Sequence, residues 1–340
     1  MTRWLITGGC GFIGRNLIRS LLENAEMKIR VVDDLSVGSR VELRAIHEFS
    51  ECEAGDLSDA RTDAGGESRI ELFVGDVRDR KLAEIAVAGC DVVVHLAANT
   101  GVGPSIEDPG YDCAVNVIGT LNYLEACRKH GVKRFVFASS GATVGNCEPP
   151  LHEELPSHPV SPYGASKLAG EAYCSAYQKS FGIGTVALRF GNCYGPLSNH
   201  KGSVVAKFIR EALAGVPWEI FGDGQQTRDF IFVDDIVDAI RRGATAENVG
   251  GEVFQIATST ETTVAELAEK LATILERRKI SLKARQYLSP RIGDVQRNYS
   301  DTTKARRLLN WTSKVSLDEG LDRTVDWFCS GVPGAERPDR

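Results

Sequence analysis

Tyr163 and Lys167, four residues apart in Ser161-Pro162-Tyr163-Gly164-Ala165-Ser166-Lys167, have the spacing that stacks two side chains on one face of a helix. A phenol with its ordinary pKa of about 10 is a poor base at neutral pH. An ammonium group beside it stabilises the phenolate and brings proton transfer within range. The same spacing also arises without function, as a core tyrosine and a solvated lysine. A hydroxyl able to meet the reacting oxygen lies upstream, where Phe137-Ala138-Ser139-Ser140-Gly141 closes an apolar run. Ser140 is the expected partner. Ser139 and Thr143 are its rivals, because a serine-rich strand end can simply cap the next turn.

A second constellation, Thr7-Gly8-Gly9-Cys10-Gly11-Phe12-Ile13-Gly14, follows the first apolar run and opens the first helical pattern, the context that a dinucleotide fingerprint requires. Gly8 allows a tight turn, Gly11 lets the backbone approach a pyrophosphate, and Gly14 lets helix and strand pack closely. The helix N-terminus at Phe12 and Ile13 offers N–H groups and partial positive charge to phosphates. The second strand ends in Val32-Asp33-Asp34, where a carboxylate can accept both hydroxyls of an adenosine ribose and repel a 2′-phosphate. NAD is therefore expected rather than NADP, and Arg40 is the residue that could reverse that preference. Gly75-Asp76-Val77 and His95-Leu96-Ala97-Ala98 close the third and fourth strands. Asp76 could take the adenine amino group, while Ala97 and Ala98 leave room for ribose and diphosphate. His95 reads as a packed strand-end residue rather than a catalyst.

Positioning these groups requires a sheet whose strand ends share one edge. Short runs at Leu5–Thr7, Arg30–Val32, Leu72–Val74, Val92–Leu96, Phe135–Ala138 and Thr185–Leu188 alternate with helical patterns at Ile13–Glu23, Asp112–Lys129 and Gly164–Phe181. That alternation predicts βαβ units, hence an α/β fold built on a doubly wound parallel sheet. Ser50–Arg69 is acidic and poor in apolar residues and reads as an exposed loop. Beyond about residue 190, turns rich in Gly, Pro and Asn mix with short helices such as Val204–Leu213 and Val264–Arg277. We expect a dinucleotide-binding domain over 1–190, with segments near 225–260 returning to it, and a smaller mixed α/β substrate lobe over 191–335.

Composition narrows the partners. With 340 residues the chain can bury a substantial core. A formal charge of −6, from 46 acidic and 40 basic residues, gives no broad positive field for nucleic acid. The nine cysteines (10, 52, 90, 113, 127, 147, 174, 193 and 329) are scattered without a CxxC pair, so no metal site is expected and the thiols read as free in a reducing compartment. No run approaches the roughly 18 apolar residues of a membrane span, and the start of the chain lacks signal-peptide features. A cytoplasmic protein is expected.

Taken in order, TGGCGFIG, VVDD, GDV, HLAA, ASSG, SPYGASK, LRFGNCYGP, FGDGQQTRDF and RIGDV resemble the extended short-chain dehydrogenase/reductases of the NAD-dependent epimerase/dehydratase family, most closely their UDP-glucose 4-epimerase branch. The resemblance runs from residue 2 to about 330. It implies bound NAD and a homodimer joined through helices 112–129 and 164–181. Ser140, Tyr163 and Lys167 then match the catalytic positions, with Tyr163, Lys167 and Ser139 also beside the cofactor. Asn116 falls on a buried asparagine position near them. Asn192, Val204, Arg228, Arg291, Asp294 and Asn298 match nucleotide-sugar positions, the two arginines facing the diphosphate and Asp294 the uridine ribose. With Ser140 and Tyr163 they complete the expected substrate site.

Departures from the family pattern bear on specificity. Gly141-Ala142 stands where dehydratases carry an Asp-Glu pair, which disfavours elimination. Val144 replaces a usual tyrosine and Gly191 precedes Asn192, and both could reshape the sugar pocket. Asn298, smaller than the tyrosine some epimerases carry there, should admit an N-acetyl group. Lys201 or His200 could answer a uronate carboxylate, the second-ranked substrate. The expected activity is 4-epimerisation of a UDP-sugar, UDP-glucose/UDP-galactose or their N-acetyl forms, through a transient 4-keto intermediate. UDP-glucuronate epimerisation, or another nucleotide-sugar oxidoreductase or dehydratase reaction, is the alternative within the family. A non-catalytic NAD-sensing protein is the alternative of another class.

Overall fold

A computed structural model describes residues 2–52, 68–289 and 295–331. In chain order its first part contains β1 (Thr2–Thr7), α1 (Phe12–Leu21), β2 (Met27–Asp33), α2 (Arg40–Arg44), β3 (Ser50–Cys52), β4 (Ile70–Val74), α3 (Arg80–Val87), β5 (Val92–His95), α4 (Val102–Glu107), α5 (Pro109–Cys113), α6 (Thr120–His130), β6 (Arg134–Ser140), α7 (Pro162–Phe181) and β7 (Gly184–Phe190). The second part contains β8 (Asn192–Tyr194), α8 (Val204–Ala214), β9 (Glu219–Phe221), β10 (Thr227–Arg228), β11 (Phe230–Phe232), α9 (Val233–Thr245), β12 (Glu252–Ile256), β13 (Thr262–Thr263), α10 (Val264–Arg277), β14 (Gln286–Leu288), α11 (Thr303–Leu309) and α12 (Leu317–Cys329).

Eight strands form one parallel sheet in the order β12-β7-β6-β5-β1-β2-β4-β3. The side-chain period of two decides which core each residue enters. Trp4 and Ile6 of β1 enter one apolar cluster with Val92 and Val94 of β5, Val136 of β6, and α1 and α9. Leu5, Val93, Phe135 and Phe137 enter the other, with α3, α6 and α7. Because every strand runs the same way, Thr7, Asp33, His95 and Ser140 reach the same carboxyl edge, and the order in which strands are added reverses at β1, the switch point where α/β sheets bind ligands.

Two sequence expectations require correction. Ser50–Arg69 is not a loop throughout, because Ser50–Cys52 pairs with β4 as the sheet's outer strand. An edge strand needs backbone partners on one side only and carries no apolar alternation to announce it. Residues 53–67 lie outside the described residues. The expected helix Asp112–Lys129 begins earlier, at Pro109, and a π-helical turn (Ala114–Gly119) divides α5 from α6.

Residues beyond β7 build the smaller lobe, where β8 pairs with β11, β10 with β13, and β9 with β14. β12 returns to the large sheet beside β7. Trp311 fastens the C-terminal segment by donating its indole N–H to the Asp235 carbonyl at 3.0 Å. The Asp235 carboxylate accepts the amides of Lys314 and Val315. Among the described residues, no helix is long and apolar enough to cross a membrane.

Candidate active site

Two sequence-local devices bring Ser140, Tyr163 and Lys167 together. Ser140 ends β6 and caps the short turn Gly141–Thr143, accepting the Ala142 amide at 3.2 Å. Ser161 caps α7 by accepting the Gly164 amide at 3.1 Å, with Pro162 in the first turn where its missing N–H costs nothing. A Cβ on Gly164 would sit 2.4 Å from the Ala142 carbonyl oxygen, so glycine is what lets α7 touch the turn after Ser140. The Ser140 hydroxyl neighbours the Tyr163 phenol and favours its ionised form. One turn on, buried Lys167 donates to the Ala138 carbonyl at 2.9 Å and lies 5.8 Å from the Tyr163 ring centroid.

The rivals of Ser140 are engaged elsewhere. Ser139 donates to the Glu171 carboxylate, and the fully buried Thr143 donates to the Ser140 carbonyl. The electrostatics differ from the sequence expectation. Burial pushes the Tyr163 phenol up to about 12, with the Ser140 hydroxyl pulling the other way. Burial also lowers Lys167 to about 8, although Asp112 and Glu171 favour its charge. In this site desolvation outweighs the help that the lysine alone was expected to give.

Sequence reasoning passed over the support beneath these groups. Glu171 and Arg189 form a buried two-point ion pair at 2.8 and 2.7 Å, behind Ser139. Each lies in an otherwise apolar setting, and that is the signal that could have revealed them. Asn116 projects from the π-helical turn and ties three segments together: its carbonyl oxygen accepts the Asn99 amide at 2.8 Å, and its amide nitrogen lies 3.0 Å from both the Asp112 carboxylate and the Ser166 hydroxyl. π-turns recur at functional sites.

At the neighbouring strand end, Gly8 has a positive φ of 69° and Gly11 donates to its carbonyl at 3.1 Å. A Cβ on Gly14 would lie 2.4 Å from that same carbonyl. Helix α1, starting at Phe12 and Ile13, has neither a side-chain cap nor an acid in its first turn, which leaves its terminal amides to a phosphate. This cradle fits a dinucleotide. Asp33 has a further task beyond the expected one, since its carboxylate accepts the Cys10 and Leu35 amides, each at 2.9 Å. Asp34 accepts the Ser36 amide and hydroxyl.

Asp76 is clamped by Arg78, whose guanidinium lies over Tyr111, and Val77 packs against Gly119. Leu96, Ala97 and Ala98 continue from β5 past the turn, with the Ala97 amide on the Thr7 hydroxyl. His95 is buried and its Nδ1 lies 2.8 Å from that hydroxyl; burial, then the charge of Lys167, lowers it to about 3, so it stays neutral. Arg40 is held by Glu51 through bonds of 2.8 and 2.7 Å, away from any role with a 2′-phosphate. Glu51→Ala should free it. We expect the ratio of NADP to NAD affinity to rise by about five- to tenfold, the scale of one exposed charge-assisted contact. Titration of both dinucleotides into cofactor-stripped protein checks this, and an unchanged ratio would remove Arg40 from consideration.

On the lobe side, Asn192 lies on β8 with its amide on the Asp229 carbonyl, Val204 opens α8, and Arg228 donates to the Thr227 and Val295 carbonyls, both at 2.7 Å. Asn298 donates its amide to Thr227, and its side-chain nitrogen lies 4.0 Å from where a Gly141 Cβ would stand, beside the turn after Ser140. Arg291 and Asp294 lie outside the described residues. Val144 is packed away at 1% exposure, so it does not line a sugar pocket. Gly191 sits in close packing, where a Cβ would lie 3.0 Å from the Asp229 carbonyl oxygen and 3.3 Å from Ala257 Cβ. Lys201 donates to the Cys193 carbonyl and lies over the Phe12 ring, while His200 faces Glu42.

The family model of the NAD dependent epimerase/dehydratase family matches residues 4–257. The UDP-glucose 4-epimerase of Mycolicibacterium smegmatis is 36% identical over 332 residues, covering 96% of this chain and 98% of the relative. The crystal structure of the Thermotoga maritima UDP-glucose 4-epimerase with UDP-glucose superposes with a TM-score of 0.83 at 34% identity, covering 96% of this chain and 99% of that one. A Bacillus cereus UDP-glucuronic acid 4-epimerase, in complex with UDP-glucuronic acid and NAD, gives 0.82 at 29% identity, covering 96% and 98%.

Proposed function

Since the chain belongs to the NAD dependent epimerase/dehydratase family and uses NAD, we propose that it inverts C4 of a UDP-sugar, UDP-glucose/UDP-galactose or their N-acetyl forms. One observation carries this reading: the Tyr163 phenol, with the Ser140 hydroxyl as its neighbour, stands at the sheet edge that also carries the glycine cradle. Tyr163, once ionised, takes the proton of the sugar 4-hydroxyl, and Ser140 holds that oxygen in place. Lys167 remains cationic at neutral pH and steadies the phenolate. NAD held by Gly8, Gly11, Gly14 and Asp33 supplies the acceptor for the hydrogen leaving C4 and the donor for its return. Arg228 anchors the diphosphate, a task that Arg291 shares, with Asp294 on the uridine ribose, while the 4-keto sugar turns over. Tyr163 then returns the proton.

Specificity follows from the neighbours of the sugar site. Gly141-Ala142 offers no acid or base to drive elimination. The engagement of Lys201 with Cys193, and of His200 with Glu42, argues against a uronate carboxylate as the group they serve. Asn298 stands beside Gly141, and its short side chain supports the reading that an N-acetyl substituent is admitted. The reading includes a homodimer through helices 112–129 and 164–181, whose exposed Ile118, Tyr173 and Phe181 support it, with exposed Tyr111 just ahead of the first.

The test is incubation with a panel of UDP- and TDP-sugars, resolving products by configuration and following the absorbance of reduced cofactor. C4-inverted product without accumulation of reduced cofactor is expected. Stoichiometric cofactor consumption would instead identify a net oxidoreductase.

A further inference from the structure

Asp112 is 1% exposed, and its second carboxylate oxygen, Oδ2, has no hydrogen-bond donor among the described residues. Desolvating a carboxylate is costly unless nearby charge compensates. The other oxygen lies 3.0 Å from the Asn116 amide nitrogen. That nitrogen reaches Ser166, whose hydroxyl donates to the Tyr163 carbonyl at 3.0 Å. Helix α5 packs directly against α7. A buried and under-satisfied anion is thus linked by three hydrogen bonds to the turn of helix that carries Tyr163 and Lys167.

Lys167 completes the picture. Its ammonium has a carbonyl and two aromatic rings as neighbours but no carboxylate within ion-pair distance among the described residues. The charges that reach it are those of Asp112 and Glu171. Glu171 is already committed to Arg189 and Ser139. Asp112 has no ion-pair partner among the described residues. We propose that Asp112 is a positioning residue that sets the charge balance of the Tyr163–Lys167 pair, acting through the buried network of Asn116 and Ser166.

The sign of its action is fixed. A negative charge makes every nearby acid weaker, so it supports the Lys167 ammonium and opposes the Tyr163 phenolate, and it raises both groups. The other groups facing the pair are the Ser140 hydroxyl on β6, Glu171 on α7 and neutral His95 on β5. Removing the charge therefore moves both titrations toward lower pH. A packing role alone would lower the rate without moving its pH dependence.

The inference rests on Tyr163 being the proton-transfer group, and its test is chosen to separate the two. Wild type, Asp112→Asn and Asp112→Glu are compared by the pH profile of kcat/KM and by NMR titration of ¹³Cε-labelled Lys167, assigned with Lys167→Arg. Asp112→Asn should shift both limbs of the profile, and the Lys167 midpoint, to lower pH by about one unit. Asp112→Glu should keep the wild-type positions. A profile for Asp112→Asn that superimposes on wild type after scaling, with Lys167 titrating unchanged, overturns the proposal. If wild type proves inactive on every sugar tested, the epimerase reading falls, while the lysine titration still decides the role of Asp112.

Discussion

Tyr163→Phe is expected to lower kcat by about 10²- to 10⁴-fold, the usual contribution of a placed general acid–base. The change deletes one oxygen and leaves the ring that lies beside Lys167 and α7 in place. Ser140 loses its phenolic neighbour but keeps the Ala142 amide, so the turn after it should hold. Binding of UDP-sugar, assigned to Arg228 and its neighbours on the other lobe, should stay within a few-fold of wild type. Steady-state kinetics and calorimetric titration with UDP-glucose give the two readings. Retention of wild-type kcat would remove Tyr163 from the chemistry; loss of binding in step with kcat would make it a structural residue.

The second large effect concerns stability. Glu171→Ala leaves the Arg189 guanidinium at 4% side-chain exposure without its carboxylate, and Nη1 of Arg189 already lacks an acceptor among the described residues. Breaking a buried ion pair from one side costs about 3–5 kcal/mol, a large share of the ~5–15 kcal/mol that holds a domain together. The thermal midpoint should fall by roughly 10 °C. Pairing Glu171→Leu with Arg189→Met should recover much of the loss, because two apolar groups leave no orphan charge. Calorimetry on the three proteins decides it. A single variant as stable as wild type would mean that water reaches the pair.

What was legible in the sequence is what local chemistry dictates. The glycine turn is readable because a positive φ at Gly8 and the close approach at Gly14 admit no side chain. Tyr163 and Lys167 are readable because a helix converts their spacing into adjacency. β3 was not, since three residues pairing along one side of an edge strand carry no periodic signature. Nor were Glu171 and Arg189, which become neighbours only when α7 packs on β7, or Asp112, which comes near Tyr163 and Lys167 only when α5 packs against α7. The raised phenol of Tyr163 belongs with these. Spacing told of a lysine beside it, but not of how completely the fold would strip water from both.

The wide turn at Ala114–Gly119 has an evolutionary corollary. A π-turn holds one residue more than an α-helical turn, so losing one amino acid there would close it to an ordinary turn and leave α6 in phase. Tyr123, Leu124 and Cys127 would keep their places in the interior, while the geometry that lets Asn116 reach Asn99, Asp112 and Ser166 would go. A single-codon deletion in this segment would thus spare the core of this chain and undo the polar network behind Tyr163.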